Sequence, residues 1–379
     1  MKKSYLPFLG LAMCFFACSE TEETPSVQVP TTYEFERNGS SSVYFQGQTD
    51  RLDMLSELKS YLAEGNAGMV IEASKLLSLY SNANAPFASA ALNESGKQLE
   101  NKTNPADIEF IKSLLVQAAE VSKDVATNNT QAAEGVAGAI ERGTSGKIIN
   151  VTEKGWEFTE FIEKGVMGSV FYHQIFNVYL SESKTGDDVD NVNLEDGANY
   201  TPMEHHWDEA FGYWGVPVDF PNGDPVLDDA HKRYWASYTN GRDALLDINT
   251  PLMNAYITGR AAIVAKNNGL KNAQKPIIIG LHELVAAATA VHYINNSMNS
   301  LSTGDTGSLF HTLSEAYGFI KAIGQSPNKQ LSQANIDEIL NSDFGTEGDF
   351  WTITMDGLHA AKDKLTRAYP SLKNVEDEL

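Results

Sequence analysis

The sequence predicts an all-α protein, two packed helical bundles behind a short extended or hairpin N-terminal segment. Three observations predict it. Apolar residues recur at spacings of three and four through most of the chain, several polar-residue–proline pairs mark helix starts, and strand signals are sparse. Helices of similar length fall on either side of about residue 220, so the bundles are expected over residues 33–220 and 221–379.

Residues 33–45 can form a hairpin around Asn38-Gly39. Leu52, Leu55, Leu58 and Leu62 then set a helical face. Asn104-Pro105 predicts a helix start with Asn104 as cap, followed by Ile108, Ile111, Leu114, Leu115 and Ala118 on the apolar side. The stretch 156–180 reads as one long helix lined by Phe158, Phe161, Ile162, Phe171, Tyr172, Ile175 and Tyr179. Thr201-Pro202-Met203-Glu204 is a capping box with proline at the first helical position, opening a helix to about Tyr213. Asp224-Pro225 and Thr250-Pro251 repeat the cap-plus-proline signature. Further helices are expected over 252–267, 277–298, 309–323, 333–340 and 349–369. Residues 182–200 and 299–307 read as loops, the first rich in aspartate and glycine.

The N-terminus reads as an address. Lys2 and Lys3 precede an apolar run from Leu6 to Ala17, the length of a signal-peptide core and too short to span a bilayer. The run ends Phe15-Phe16-Ala17-Cys18, which looks like a lipobox with Cys18 as the acylated first residue of the mature chain. Residues 1–17 are then the signal peptide and 18–32 a polar, acidic, proline-containing tether. Cys14 is the only other cysteine, so the mature chain has no thiol for a disulfide, a thiolate metal site or a nucleophile. No later stretch is expected to approach the apolar length of a membrane helix. With 28 basic and 50 acidic residues the net charge is −22, which excludes a basic footprint for nucleic acid.

Tyr33-Glu34-Phe35-Glu36-Arg37-Asn38, Val43-Tyr44-Phe45-Gln46-Gly47-Gln48-Thr49 and Arg51-Leu52 resemble the opening of domain-of-unknown-function family 4856, lipoproteins of Bacteroidetes. Glu160-Phe161-Ile162-Glu163-Lys164-Gly165 and Phe171-Tyr172-His173-Gln174 continue the likeness over nearly the whole mature chain. That family is similar to the imelysin-like proteins, helical exported proteins tied to iron uptake, whose hallmark is Gly-x-His-x-x-Glu followed by Trp-Gly. Here His206-Trp207-Asp208-Glu209 precedes Trp214-Gly215, with Glu204 in the glycine's place. The resemblance implies an outer-membrane lipoprotein, expected on the cell surface through the acidic stretch after Cys18, with an uptake-system partner such as a TonB-dependent transporter.

The spacing of histidines and acids suggests metal chemistry. His205 and Glu209 lie four apart, roughly 40° around a helix, and His311 and Glu315 repeat the geometry elsewhere. If the two helices face each other, the pairs make a two-histidine, two-carboxylate site for iron or zinc, with His206 able to replace His205. The plainer alternative is that Glu204 completes the cap, His206 is a hydrogen-bonded imidazole and Glu315 bonds His311 within its own helix. Asp187, Asp188, Asp190, Glu195 and Asp196 offer oxygen ligands for calcium, although Val192 interrupts EF-hand spacing. His282-Glu283 lacks the second histidine of a zinc-protease helix, since Ala286-Ala287 stand there. Glu157 and Glu160 share a face from which His173 points away. There is no Gly-x-Ser-x-Gly and no Walker loop. The function expected is a non-catalytic envelope lipoprotein that binds a ligand or metal in iron or nutrient uptake. The rivals are a metal-dependent hydrolase and a glycan-binding or scaffold lipoprotein that partners an outer-membrane transporter.

Overall fold

Where leucines, isoleucines and alanines recur at helical spacing, the chain is helical, and the hairpin forms where Asn38-Gly39 permits it. A computed structural model describes residues 27–144 and 146–379. The expected signal peptide, Cys18 and most of the tether lie outside the described residues. Strands β1 (Glu36–Arg37) and β2 (Ser40–Ser41) pair antiparallel. The turn between them needs positive φ at both central residues, and Asn38 (55°) and Gly39 (76°) supply it.

Helix α1 (Gln46–Asn66) buries Leu52, Leu55, Leu58 and Leu62 as their spacing predicts. Two short helices that the sequence reading lacked follow, α2 (Ala73–Ser81) and α3 (Ala90–Glu94). Helix α4 (Ile108–Asn128) starts later than Asn104-Pro105 suggested. The Asn104 side chain accepts the Ala106 amide at 3.2 Å, which closes a turn ahead of the helix instead of capping it. A hairpin absent from the sequence reading comes next: β3 (Gly138–Arg142) and β4 (Lys147–Val151), with Ile140 opposite Ile149.

Helix α5 (Phe158–Val166) continues through wider π-turns to Tyr179, so the long element expected over 156–180 exists but changes its hydrogen bonding. The Leu180 amide reaches back five residues to the Ile175 carbonyl at 3.0 Å. Part of the expected 182–200 loop is a single helical turn, α6 (Glu182–Thr185). Helix α7 (Pro202–Gly212) has the predicted capping box: Thr201 takes the Glu204 amide and Glu204 takes the Thr201 amide at 2.8 Å. Asp224-Pro225 starts no helix, because Asp228 turns the chain by accepting the Ala230 and His231 amides, both at 3.0 Å. Helix α8 (Tyr234–Leu246), also unexpected, begins beyond that turn, and α9 (Asn249–Val264) follows.

Helix α10 (Asn268–Thr303) starts earlier than Ile277, capped by Asn267, and runs through most of the expected 299–307 loop. Only Gly304 and Asp305 separate it from α11 (Thr306–Ile323). By length and composition α10 can cross a membrane, against the sequence expectation; 61% of its most apolar window is buried within the protein, as in a core helix. Helix α12 (Gln333–Glu338) is capped by Ser332. Helix α13 (Met355–Ala368) is capped by Thr354, and short turns replace the helix expected from residue 349.

The core is continuous, and the expected boundary near residue 220 falls in an irregular segment that it spans. Helix α11 is its axis, packed against α10 on one side and α5 on the other. Two glycines set that spacing. A Cβ on Gly318 of α11 would lie 2.2 Å from the Lys164 Cβ, and one on Gly168 would lie 2.9 Å from the Ala322 Cβ. Backbones this close allow short side chains on the two elements to meet.

The opening residues are bound into the body by a buried ionic clamp. Arg260 of α9, fully buried, donates to Asp208 at 2.9 Å, to Glu204 at 3.0 Å and to the Ser42 carbonyl at 3.0 Å. Tyr33 donates to Asp208 at 2.8 Å, and Arg37 to Glu204 at 2.8 Å. Burial pushes the Asp208 carboxyl up to about 6 even beside Arg260 and Tyr33. Burial raises Glu204 as well, but Arg37 and Arg260 outweigh it and bring the group below its ordinary value.

Candidate metal centre

Three devices bring α5 and α11 together at their N-terminal ends. Asp305 caps α11 through the Ser308 amide at 3.0 Å and also holds the Gly143 amide of the β3–β4 turn at 3.1 Å. Gly307 lies so near β3 that a Cβ there would fall 2.1 Å from the Glu141 carbonyl oxygen. The Glu157 amide, just before α5, donates to Ser314 of α11 at 2.8 Å. The hairpin therefore fixes the first turns of α11, and α11 fixes the start of α5.

At that junction Glu157, Glu160 and His311 are all buried, and each can offer a ligand atom within 4.8 Å of the others. No other group of three or more His, Cys, Asp or Glu ligands lies this close among the described residues. His311 Nδ1 sits 2.6 Å from Glu157 Oε2, and its Nε2 sits 3.3 Å from Glu315 Oε1. Both imidazole nitrogens thus face carboxylates. Glu160 belongs to an ionic cluster behind the histidine. Lys164 lies 2.8 Å from Glu160, against Glu163, and 3.7 Å from Glu315. Lys59 closes the outer side, 3.2 Å from Glu160 and 2.7 Å from Glu163. Tyr238 donates to Glu315 at 3.2 Å, and its ring lies beneath the Lys164 ammonium.

The electrostatics follow from burial and charge. Burial raises Glu157 above the ordinary carboxylate value, with His311 pulling the other way. Burial raises Glu160 too, but Lys164 and Lys59 overwhelm it and hold that group far below the usual range. Burial would lower Lys164, yet Glu163, Glu315, Tyr238 and Glu160 keep it well above the ordinary lysine value. Four carboxylates (157, 160, 163 and 315) face two ammonium groups, and Arg142 adds its field at Glu157. With neutral His311 the cluster is one positive charge short. A divalent cation bound among Glu157, Glu160 and His311 would more than supply that charge.

The structure distributes the sequence candidates differently from the shared two-pair site. His311 and Glu315 face each other within α11, as their spacing predicts, and both join the α5 cluster. His205, His206 and Glu209 lie on α7 and turn to other partners. His205 meets Glu195 at 3.3 Å and His206 meets Glu209 at 3.1 Å. Glu209 also accepts from Gln48 at 3.1 Å and Tyr179 at 3.0 Å. In the acidic loop Asp187 is held by Lys271 and Asn272, both at 3.0 Å. Asp190 accepts the Val192 and Asn193 amides, at 2.8 and 3.0 Å. Asp187, Asp188, Asp190, Glu195 and Asp196 form no three-ligand group. His282 is wholly buried; its Nε2 lies 2.9 Å from the Tyr256 hydroxyl, and burial lowers it to about 3.

Sequence reading missed the partnership of Glu157 and Glu160 with His311. It noted that the two acids share a face, but their histidine lies 154 residues away and no local spacing reports that.

The chain belongs to the family described as Domain of unknown function (DUF4856), whose model matches residues 30–373. No curated protein and no solved structure matches it.

Proposed function

We propose that this DUF4856 member is an exported, Cys18-acylated envelope lipoprotein of the Bacteroidetes type whose helical body binds a divalent transition metal, iron or zinc, for an uptake system. The observation that carries the proposal is the convergence of Glu157, Glu160 and His311 within 4.8 Å in a buried cluster one positive charge short. Imidazole with carboxylates suits first-row divalent ions, at about 2.0–2.2 Å from a zinc centre. Glu315, at the other imidazole nitrogen, holds the ring as outer partners of metal-bound histidines do.

Binding is favoured over hydrolysis by burial. The side chains of Glu157, Glu160, Glu315 and His311 are at most 11% exposed, whereas a catalytic metal needs an open coordination position that substrate can reach. A cleft of about 360 Å³ lined by Lys59, Glu163, Lys164 and Tyr238 adjoins the outer side of the cluster and offers an ion a route inward. The relation to imelysin-like proteins belongs to this reading, through His206-x-x-Glu209 and Trp214-Gly215. So do the outer-membrane address, on the cell-surface face, and a TonB-dependent transporter as partner.

The test is equilibrium binding of Zn²⁺ and Fe²⁺ to the mature protein, beside the variants His311→Ala, Glu157→Gln and His206→Ala. Near-stoichiometric binding that the first two variants abolish and the third retains supports the reading. Binding lost only in His206→Ala moves the site to α7, and no binding to any form refutes it.

A further inference from the structure

On a chain of net charge −22, four cations gather beside α7. Arg51, Lys97, Lys102 and Lys184 come from four separate segments, and among the described residues none forms an ion pair with a carboxylate. Arg51 is buried, yet its guanidinium donates to the carbonyls of Gly47, at 2.8 Å, and Gln98, at 2.9 Å. Lys102 donates to the Tyr179 hydroxyl at 3.1 Å, and Lys184 lies 3.5 Å from His206 Nε2. Lys97 folds over the start of α1, where a Cβ on Gly47 would come 2.9 Å from its Cε.

The local field is positive for two further reasons. Helix α1 begins here with no side-chain cap and no acidic residue of its own in its first turn, so its positive end adds to the field. Glu209 is the carboxylate set against the four cations, and its oxygens are occupied by Gln48, Tyr179 and His206. Burial first, and then the like charge of Arg51, Lys184 and Lys97, lower Lys102 below its ordinary value against the pull of Glu209. Four cations held together with one engaged carboxylate repel each other unless an anion joins them. Alongside lies a partly exposed run of rings: Tyr179, His206, His205, Tyr200 and Tyr44 follow one another at centroid separations of 4.5 to 6.2 Å.

We propose that the cation cluster of Arg51, Lys97, Lys102 and Lys184 binds a small anion with two or three negative charges, a polycarboxylate or a phosphate. The charge left after Glu209 is counted sets the ligand's valence. The site shares no residue with the Glu157–His311 centre, so its fate and that of the metal reading are separable.

The test is calorimetric titration of the whole mature protein with citrate and, separately, inorganic phosphate. Wild type is compared with Lys102→Gln/Lys184→Gln and with Lys123→Gln, an exposed lysine on α4. The expected result is binding of at least one anion with Kd under about 1 mM, weakened about tenfold or more by the double substitution and unchanged by Lys123→Gln. Affinity should also fall with added salt. Which anion binds separates the two chemistries. An unchanged far-ultraviolet dichroism spectrum and urea midpoint in the double variant keep a lost fold from being read as a lost site. Binding of neither anion at 10 mM, about tenfold above the expected limit, or equal binding by the double variant, overturns the proposal.

Discussion

Replacing Gly318 by alanine tests the packing that creates the α5–α11 junction. The added Cβ would sit 2.2 Å from the Lys164 Cβ and 3.2 Å from its backbone Cα and carbonyl carbon. Carbon atoms in contact prefer about 3.5–4.0 Å, so the helices must separate by roughly an ångström or more locally. Overpacking of this kind costs about 1–3 kcal/mol, against about 1 kcal/mol gained by removing glycine from a helix interior. The net expectation is a loss of up to about 2 kcal/mol, with His311 drawn off Glu157 and metal affinity reduced. Gly165 supplies the control: it lies on α5 next to Lys164, and a Cβ there meets nothing within 4 Å. Gly165→Ala should therefore stabilise the protein by up to about 1 kcal/mol. Urea unfolding followed by tryptophan fluorescence measures both. If Gly318→Ala is as stable as Gly165→Ala, the close approach of α5 and α11 is wrong.

Three further expectations follow from buried groups. Arg260→Met leaves Glu204 and Asp208 buried without their shared cation and should cost about 3–5 kcal/mol in urea unfolding; a loss under about 1 kcal/mol would contradict the clamp. Tyr33→Phe removes one hydrogen bond to Asp208 and should cost about 1 kcal/mol in the same assay, so an equal loss in the two variants would argue against Arg260 as the centre of the network. His282 has a folded pKa of about 3, below the ordinary 6.5, so the unfolded chain binds more protons between those values. Its contribution is complete above pH 6.5 and is lost as pH falls toward 3, at up to about 1.4 kcal/mol per unit. The difference in stability between wild type and His282→Gln should therefore shrink on acidification, and a pH-independent difference would show that His282 is protonated or solvated in the folded state.

What was legible in the sequence was local. The Thr201–Glu204 cap, the Asn38-Gly39 turn and the leucine face of α1 each depend on residues a few positions apart, and each forms. The β3–β4 hairpin was legible in principle, since two short apolar runs flank Gly143 and Gly146, but neither run is long enough to compete with a helical reading. The π-turns after Val166 leave little trace in periodicity, because all residues from 167 to 179 except His173, Asn177 and Val178 are buried. Within the candidate site, the His311–Glu315 pair could be read from its four-residue spacing. Its meeting with Glu157 and Glu160 could not, because that contact depends on Gly318 admitting Lys164 and on Ser314 receiving the Glu157 amide. The family-like opening also gains a physical meaning: Tyr33 and the Tyr44 amide are held by Asp208, and Arg37 by Glu204.

The most direct test of the metal reading is anomalous diffraction from crystals of the mature protein equilibrated with Zn²⁺, recorded on both sides of the zinc absorption edge. The account predicts one strong anomalous peak between Glu157, Glu160 and His311, within about 2.0–2.2 Å of a nitrogen and of carboxylate oxygens. A peak on His205, His206 and Glu209 instead, or no peak with the His311–Glu157 hydrogen bond intact, would contradict it.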